Sequence, residues 1–132
     1  MALIKGRLTP HRNAEYVNDP VAAGQKIYQG AIVMLDAAGN AIKGAVAIGL
    51  TPRGVAQASV DNSAGIAGDD YIAARKGCFR FKNDASVARA DIGASAYVVD
   101  DETVAKTDGT GTRSALGEII DVDASGVWVE IA

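Results

Sequence analysis

The chain has 132 residues, enough for one domain that buries about 65% of the surface its unfolded form exposes. Hydrophobic residues make up 48% but aromatics only 5%, and 15 glycines punctuate a mostly Ala, Val and Ile background, a composition suited to short strands and tight turns rather than a bulky helical core. Net charge is −3 with the basic residues scattered, so the counterion-displacing run expected of a nucleic-acid binder is missing; one cysteine and one histidine exclude an intrachain disulfide and a Cys/His zinc site.

The segment 1–19, "MALIKGRLTPHRNAEYVND", differs from the rest. It carries Pro10, several charges and no sustained period, and Pro20 follows it directly. It reads as an extended arm or a poorly ordered terminus, with Leu3, Ile4, Leu8, Tyr16 and Val17 as docking points if it orders. It lacks the long apolar core of a signal peptide, and no stretch approaches the roughly 18 apolar residues of a membrane span. The expected setting is a reducing cytoplasm, or a particle assembled there, with no membrane partner.

Residues 20–132 read as a single β-rich domain. "GAIVMLDAAGNAIKG" predicts strand, turn, strand, with Ile32–Leu35 entering the turn Ala37–Asn40 and Ile42 returning. "AVAIGLTPRGVAQAS" predicts two short strands broken at Thr51–Gly54. "DDYIAARKGCFRFKND" predicts a strand pair around Gly77, with Phe79 and Phe81 on one face and Cys78, Arg80 and Lys82 on the other. "NDASVARADIG" is the best helix candidate, about 84–92, capped by Asn83 or Asp84 and ended by Gly93. "SAYVVDDETVAK" and "SALGEIIDVDASGVWVEIA" complete the chain. In the last strand Val127, Val129 and Ile131 face one way, while Trp128 and Glu130 face the other, after a turn at Asp123–Gly126. The sum is a mainly β fold, a small barrel or sandwich of about eight to ten short strands with one short helix.

Three acids in a row, Asp100, Asp101 and Glu102, raise the question of a metal or acid–base site. Adjacent strand residues point to opposite faces, so these carboxylates diverge if extended, and no histidine is close in sequence. A solvated hairpin tip between Val99 and Val104 is the better reading. A nucleophilic triad would have to use His11, which lies in the arm. Cys78, flanked by Lys76 and Arg80, has neighbours that would lower a thiol pKa, but a lone strand cysteine is more often a packing residue. "GNAIKGA" spaces Gly39 and Gly44 like the start of a phosphate loop, yet Ala45 stands where its lysine belongs. "DGTGT", Asp108 to Thr112, reads as a flexible loop tip. Arg75, Lys76, Arg80 and Lys82 form the best basic cluster and read as a solvated strand face. The residues therefore support a binding or structural module: no catalytic, cofactor or metal residues are assigned, and Trp128 is either available for a subunit contact or half-covered within its own domain.

The order of these pieces resembles the small capsid-decoration (cement) proteins of tailed bacteriophages and prophages, some of which carry a label as RecA/RadA-like recombinases. The matching features run from Pro20 to Ala132: the "GCF" strand, the Ala-rich "DASVARA", the Tyr97…Asp100-Asp101 hairpin, the Leu116-Gly117…Asp121 strand and the closing "VWVEI". The missing phosphate-loop lysine contradicts the recombinase label. The resemblance implies a virion protein on the outside of the expanded head, made in the bacterial host cytoplasm. It implies the major capsid protein and its own copies, often as a homotrimer, as partners, with no cofactor and no direct nucleic-acid contact. A tail or head–tail connector protein, or a ligand-binding β-module, are the alternative readings.

Overall fold

The computed structural model describes residues 2–132, so Met1, the first residue of the expected arm, lies outside the described residues. Among the described residues the fold is mainly β, with twelve strands and one 3-10 turn. In chain order the strands are β1 (Tyr16–Pro20), β2 (Lys26–Ile27), β3 (Ile32–Leu35), β4 (Ala41–Lys43), β5 (Thr51–Ala56) and β6 (Val60–Asp61). They continue with β7 (Tyr71–Arg75), β8 (Gly77–Asn83), β9 (Ser95–Val98), β10 (Thr103–Ala105), β11 (Ala115–Asp123) and β12 (Gly126–Ile131).

These strands form two bodies of sheet and a small ribbon. The first is five-stranded, in the order β1-β7-β5-β3-β4. The second is a closed barrel, β10-β8-β12-β11-β9, in which β10 and β8 pair in parallel and close the ring. Strands β2 and β6 pair with each other. The five-stranded sheet curls: beyond β1, Val21 bridges to Ala41 on β4, and the Ala22 N–H donates to the Ala41 carbonyl. Its two margins therefore approach each other around a core of Val17, Val21, Ile27, Val33, Ile72 and Ala74.

The larger core fills the barrel. Phe81, Val98, Val104, Ile119, Val127 and Val129 point inward, and Ile32, Met34 and Val55 join them from the sheet. Five strands enclose too little space for a lumen, so side chains occupy the interior. Alternation along β3 assigns its residues: Ile32 and Met34 enter the barrel-side core, while Val33 enters the other.

Several sequence expectations hold. Strands β3 and β4 form the hairpin read from "GAIVMLDAAGNAIKG", closed by Asp36, whose Oδ1 accepts from the Ala38 and Asn40 N–H groups. Strands β11 and β12 form the terminal hairpin with Asp123 capping its turn, and Val127, Val129 and Ile131 are buried. Phe81 is buried and Phe79 packs against the same core, while Cys78, Arg80 and Lys82 face out.

Four expectations are corrected. The arm does not extend to Asp19: Tyr16–Pro20 is a strand in register with β7, and Val17 lies at 8% exposure in the core. Strands β7 and β8 are not a hairpin. The chain passes between the two sheets at Lys76-Gly77, where Gly77 takes a φ of 143° that a β-carbon would strain. Thr51–Gly54 is not a break but the first four of the six residues of β5. Pro52 is accommodated there because the register with β3 shifts between Val33 and Met34. The helix expected over 84–92 is only a 3-10 turn, Arg89–Asp91. Asn83 and Asp84 each accept from an N–H two residues on, and Ala85 has a φ of 83°, so local side-chain bonds replace the helical ladder.

Close backbone approach requires Gly117, because a β-carbon there would run into the main chain at Glu130. Gly117→Ala is expected to destabilise the fold by about 1–3 kcal/mol. Gly6→Ala, whose β-carbon meets nothing, should leave the urea midpoint unchanged. Equal midpoints for both variants and the parent protein would refute this packing account.

Candidate interaction surface

The three acids of "YVVDDETVAK" sit where β9 turns into β10, with Val98 opposite Val104. Asp100 accepts from the Glu102 N–H, and Glu102 pairs with Lys82 on β8. Burial raises the Asp100 pKa, but bonds from the Glu102 N–H and from the Thr103 hydroxyl and N–H, helped by Lys82, bring the net value below the usual aspartate range. The Asp101 carbonyl takes the Ile32 N–H and ties this tip to the sheet. Two of the carboxylates thus serve the barrel, Asp100 within the turn and Glu102 across to β8, while the Asp101 main chain fastens the turn to the sheet. Among the described residues no three His, Cys, Asp or Glu side chains are grouped to hold a metal ion.

The other singled-out residues are placed as follows. Gly39 lies in the β3–β4 turn, and Gly44 packs so closely on Val98 and the Asp100 carbonyl that a side chain would not fit. The two glycines that mimic a phosphate loop are therefore a turn residue, Gly39 with a φ of 82°, and a packing requirement, Gly44. The basic cluster is divided between sheets: Arg75 on β7 pairs with Glu15, Lys82 with Glu102, and Arg80 lies over the Trp128 ring. Cys78 is exposed on β8, opposite Glu130 on β12. Partial burial of the thiol, and then the Glu130 charge, raise its pKa, the reverse of what Lys76 and Arg80 in its sequence suggest. The "DGTGT" loop is wound rather than free, since Gly109, Thr110 and Gly111 all have positive φ and the Asp108 carbonyl accepts from Thr112 and Arg113.

An open cleft of about 460 Å³ lies where the β2–β3 connection meets the hairpin tip, lined by Tyr28, Gln29, Gly30, Ala31, Asp101 and Glu102. At its rim Lys26 lies over the Tyr28 ring and Lys82 holds Glu102.

The contact candidates divide into two groups. Leu3, Ile4 and Leu8 are 70%, 85% and 100% exposed in a stretch without strand or helix, and His11 lies in the same stretch. Tyr16 is exposed on β1 beneath the Arg75 guanidinium, with Tyr71 on the same outward face of the sheet. Val17 is withdrawn from the contact group because it is part of the core. Sequence reasoning missed Tyr71, Val46, Ile48 and Ile66, all more than half exposed; the last three lie in connections where alternation gives no facing signal.

Trp128 is half-buried on the outside of the barrel. Its Nε1–H donates to Asp123 Oδ2 at 3.2 Å, and Arg80 covers its face. A cation and a carboxylate thus fix the ring on the surface. The candidate contact surface comprises an apolar-studded arm, the outer face of β1 and β7, and this fixed indole. Comparison with protein-family models, curated proteins and solved structures finds no match. No helix among the described residues is long and apolar enough to cross a membrane.

Trp128 is the chain's one tryptophan and so reports on this contact directly. The Ser125 N–H, then Trp128, hold the Asp123 pKa below the ordinary value. The bonded carboxylate is thus present above about pH 4 and is lost as pH falls through the depressed value. Tryptophan emission should change in that acid range in the parent protein, and the step should vanish in Asp123→Asn. Persistence of the step in the variant would show that another group controls the indole.

Proposed function

We propose that this protein is a structural decoration protein, binding the outside of an expanded phage head and stabilising the shell. The observation that carries the reading is the arm: three large apolar side chains, 70–100% exposed, on a segment leading directly into the first strand of a doubly cored β body. Isolated exposed apolar residues are ordinary, but three within six positions of an unstructured basic stretch form a contact waiting for a partner. The ordered pieces that carry the family resemblance add support: the β8 strand, the Tyr97–Val104 hairpin, and the β11 and β12 pair are all built as strands of one barrel.

Cementing is a linkage effect. A protein that binds the expanded lattice and not its precursor stabilises the expanded state by mass action. Weak contacts repeated over the shell add through avidity, which suits a small partner with a few apolar anchors. The arm engages the lattice of shell and neighbouring copies, and the rigid barrel presents Trp128 as a second contact.

The truncation that tests this must spare β1, so it removes residues 2–13. The shortened protein is expected to keep its urea midpoint and to lose most of its co-migration with full heads on a density gradient, whereas the parent protein co-migrates at hundreds of copies per particle. Absence of the parent protein from particles would refute the decoration reading, and undiminished co-migration of the truncated form would refute the arm's part in it.

A further inference from the structure

The margin of the five-stranded sheet at β1 is open along a short stretch. The Lys76 N–H donates to the Glu15 carbonyl and the Val21 N–H to the Asp70 carbonyl. In an antiparallel ladder this phase turns the main chain of residues 15, 17, 19 and 21 toward β7 and that of Tyr16 and Asn18 away from it. Past Pro20 the margin is closed by the Val21–Ala41 bridge. An unpaired edge of this kind is a template for one further strand.

The arm carries a strand-like pattern that fits this edge. In "LIKGRL", Ile4, Gly6 and Leu8 alternate with Lys5 and Arg7. Antiparallel pairing with Gly6 opposite Asn18 puts Leu8 beside Tyr16, and Ile4 beside Pro20, next to the exposed Tyr71. The same register puts Lys5 opposite Asp19, whose carboxylate already holds Arg53. Pro20 has no N–H to offer, but its carbonyl can accept from Ile4.

We propose that the arm of one copy adds as a strand to the β1 edge of a second copy of this chain, making an arm-exchanged homo-oligomer. The arm does not take its own edge: residues 2–13 form no strand, and Leu8 is 100% exposed although its own β1 is within reach. Charge favours a second copy as the host. Three of the chain's basic residues and none of its acids precede Glu15, so the body carries the whole acidic excess. A head-to-tail contact of this type closes into a ring or runs on as a filament, and closure is the outcome that keeps the assembly finite. The inference deepens the arm's role in the proposed shell binding, but it is read on the isolated protein, so it can fail while shell binding stands.

The test uses the full chain in a Cys78→Ser background with Gly6→Cys and Asn18→Cys. Mild oxidation should give disulfides between chains in most molecules on a non-reducing gel. Light scattering should give an oligomer for the parent protein and a monomer for the protein lacking residues 2–13, a comparison that needs no introduced cysteine. A disulfide within one chain would show that the arm folds back on its own edge and would overturn the proposal. So would an unchanged mass after the truncation, since the copies would then associate through another surface, and so would a monomeric parent protein.

Discussion

Strand β3 is buried on both faces, and the rest of the molecule is arranged around that constraint. Ile32 and Met34 enter the barrel-side core and Val33 enters the core of the curled sheet, so four residues serve two hydrophobic clusters. In a half-buried strand a one-residue slip already turns the apolar face to solvent. A strand packed on both faces fixes its register twice, because a one-residue slip would exchange its side chains between the cores. A main-chain bond then holds the two bodies together at this strand, from the Ile32 N–H to the Asp101 carbonyl, and the Gly44 N–H donates to the Ile32 carbonyl within the sheet.

This arrangement leaves a rigid body whose contact features lie at its margins. Asp19 reaches over β7 to hold Arg53 on β5 through two bonds of 2.8 and 2.9 Å, so the first strand is fastened even though one of its edges is open. The arm begins where that fastening ends. The chain thus separates into a body stabilised by its own cores and an exposed segment without strand or helix.

How much of this was legible in the sequence depended on whether the deciding contacts were local. The β3–β4 and β11–β12 hairpins were readable because alternation and Asp-centred turns lie within one short segment, and the acids at Asp100–Glu102 were readable as a turn for the same reason. The passage at Gly77 was not. A glycine between two apolar runs looks the same whether the chain reverses or crosses to another sheet, and only the long-range partners Val17 and Val127 decide it. Helix capping at Asn83 and Asp84 misled because the same side chains also support consecutive turns. Val17 was misassigned to the arm because Pro20 looked like a boundary, whereas it occupies the exposed edge of a strand, one of the places in a sheet that tolerates proline. Of the contact surface, the arm's apolar residues were visible at once. Tyr71 was not, since its exposure follows from long-range pairing: β5 reaches only Ala74 and Arg75 of β7 and stops short of Tyr71.

The central claim is that the arm stays unpaired until the protein assembles. Amide hydrogen exchange across residues 2–20 tests it most directly, comparing protein diluted until it is monomeric with protein bound to expanded heads. The account predicts fast exchange at Ile4, Gly6, Leu8, Tyr16 and Asn18 in dilute protein and slow exchange at the same amides in the bound state, with Val17 and Val21 protected in both. Arm amides that exchange equally fast in the two states would contradict it.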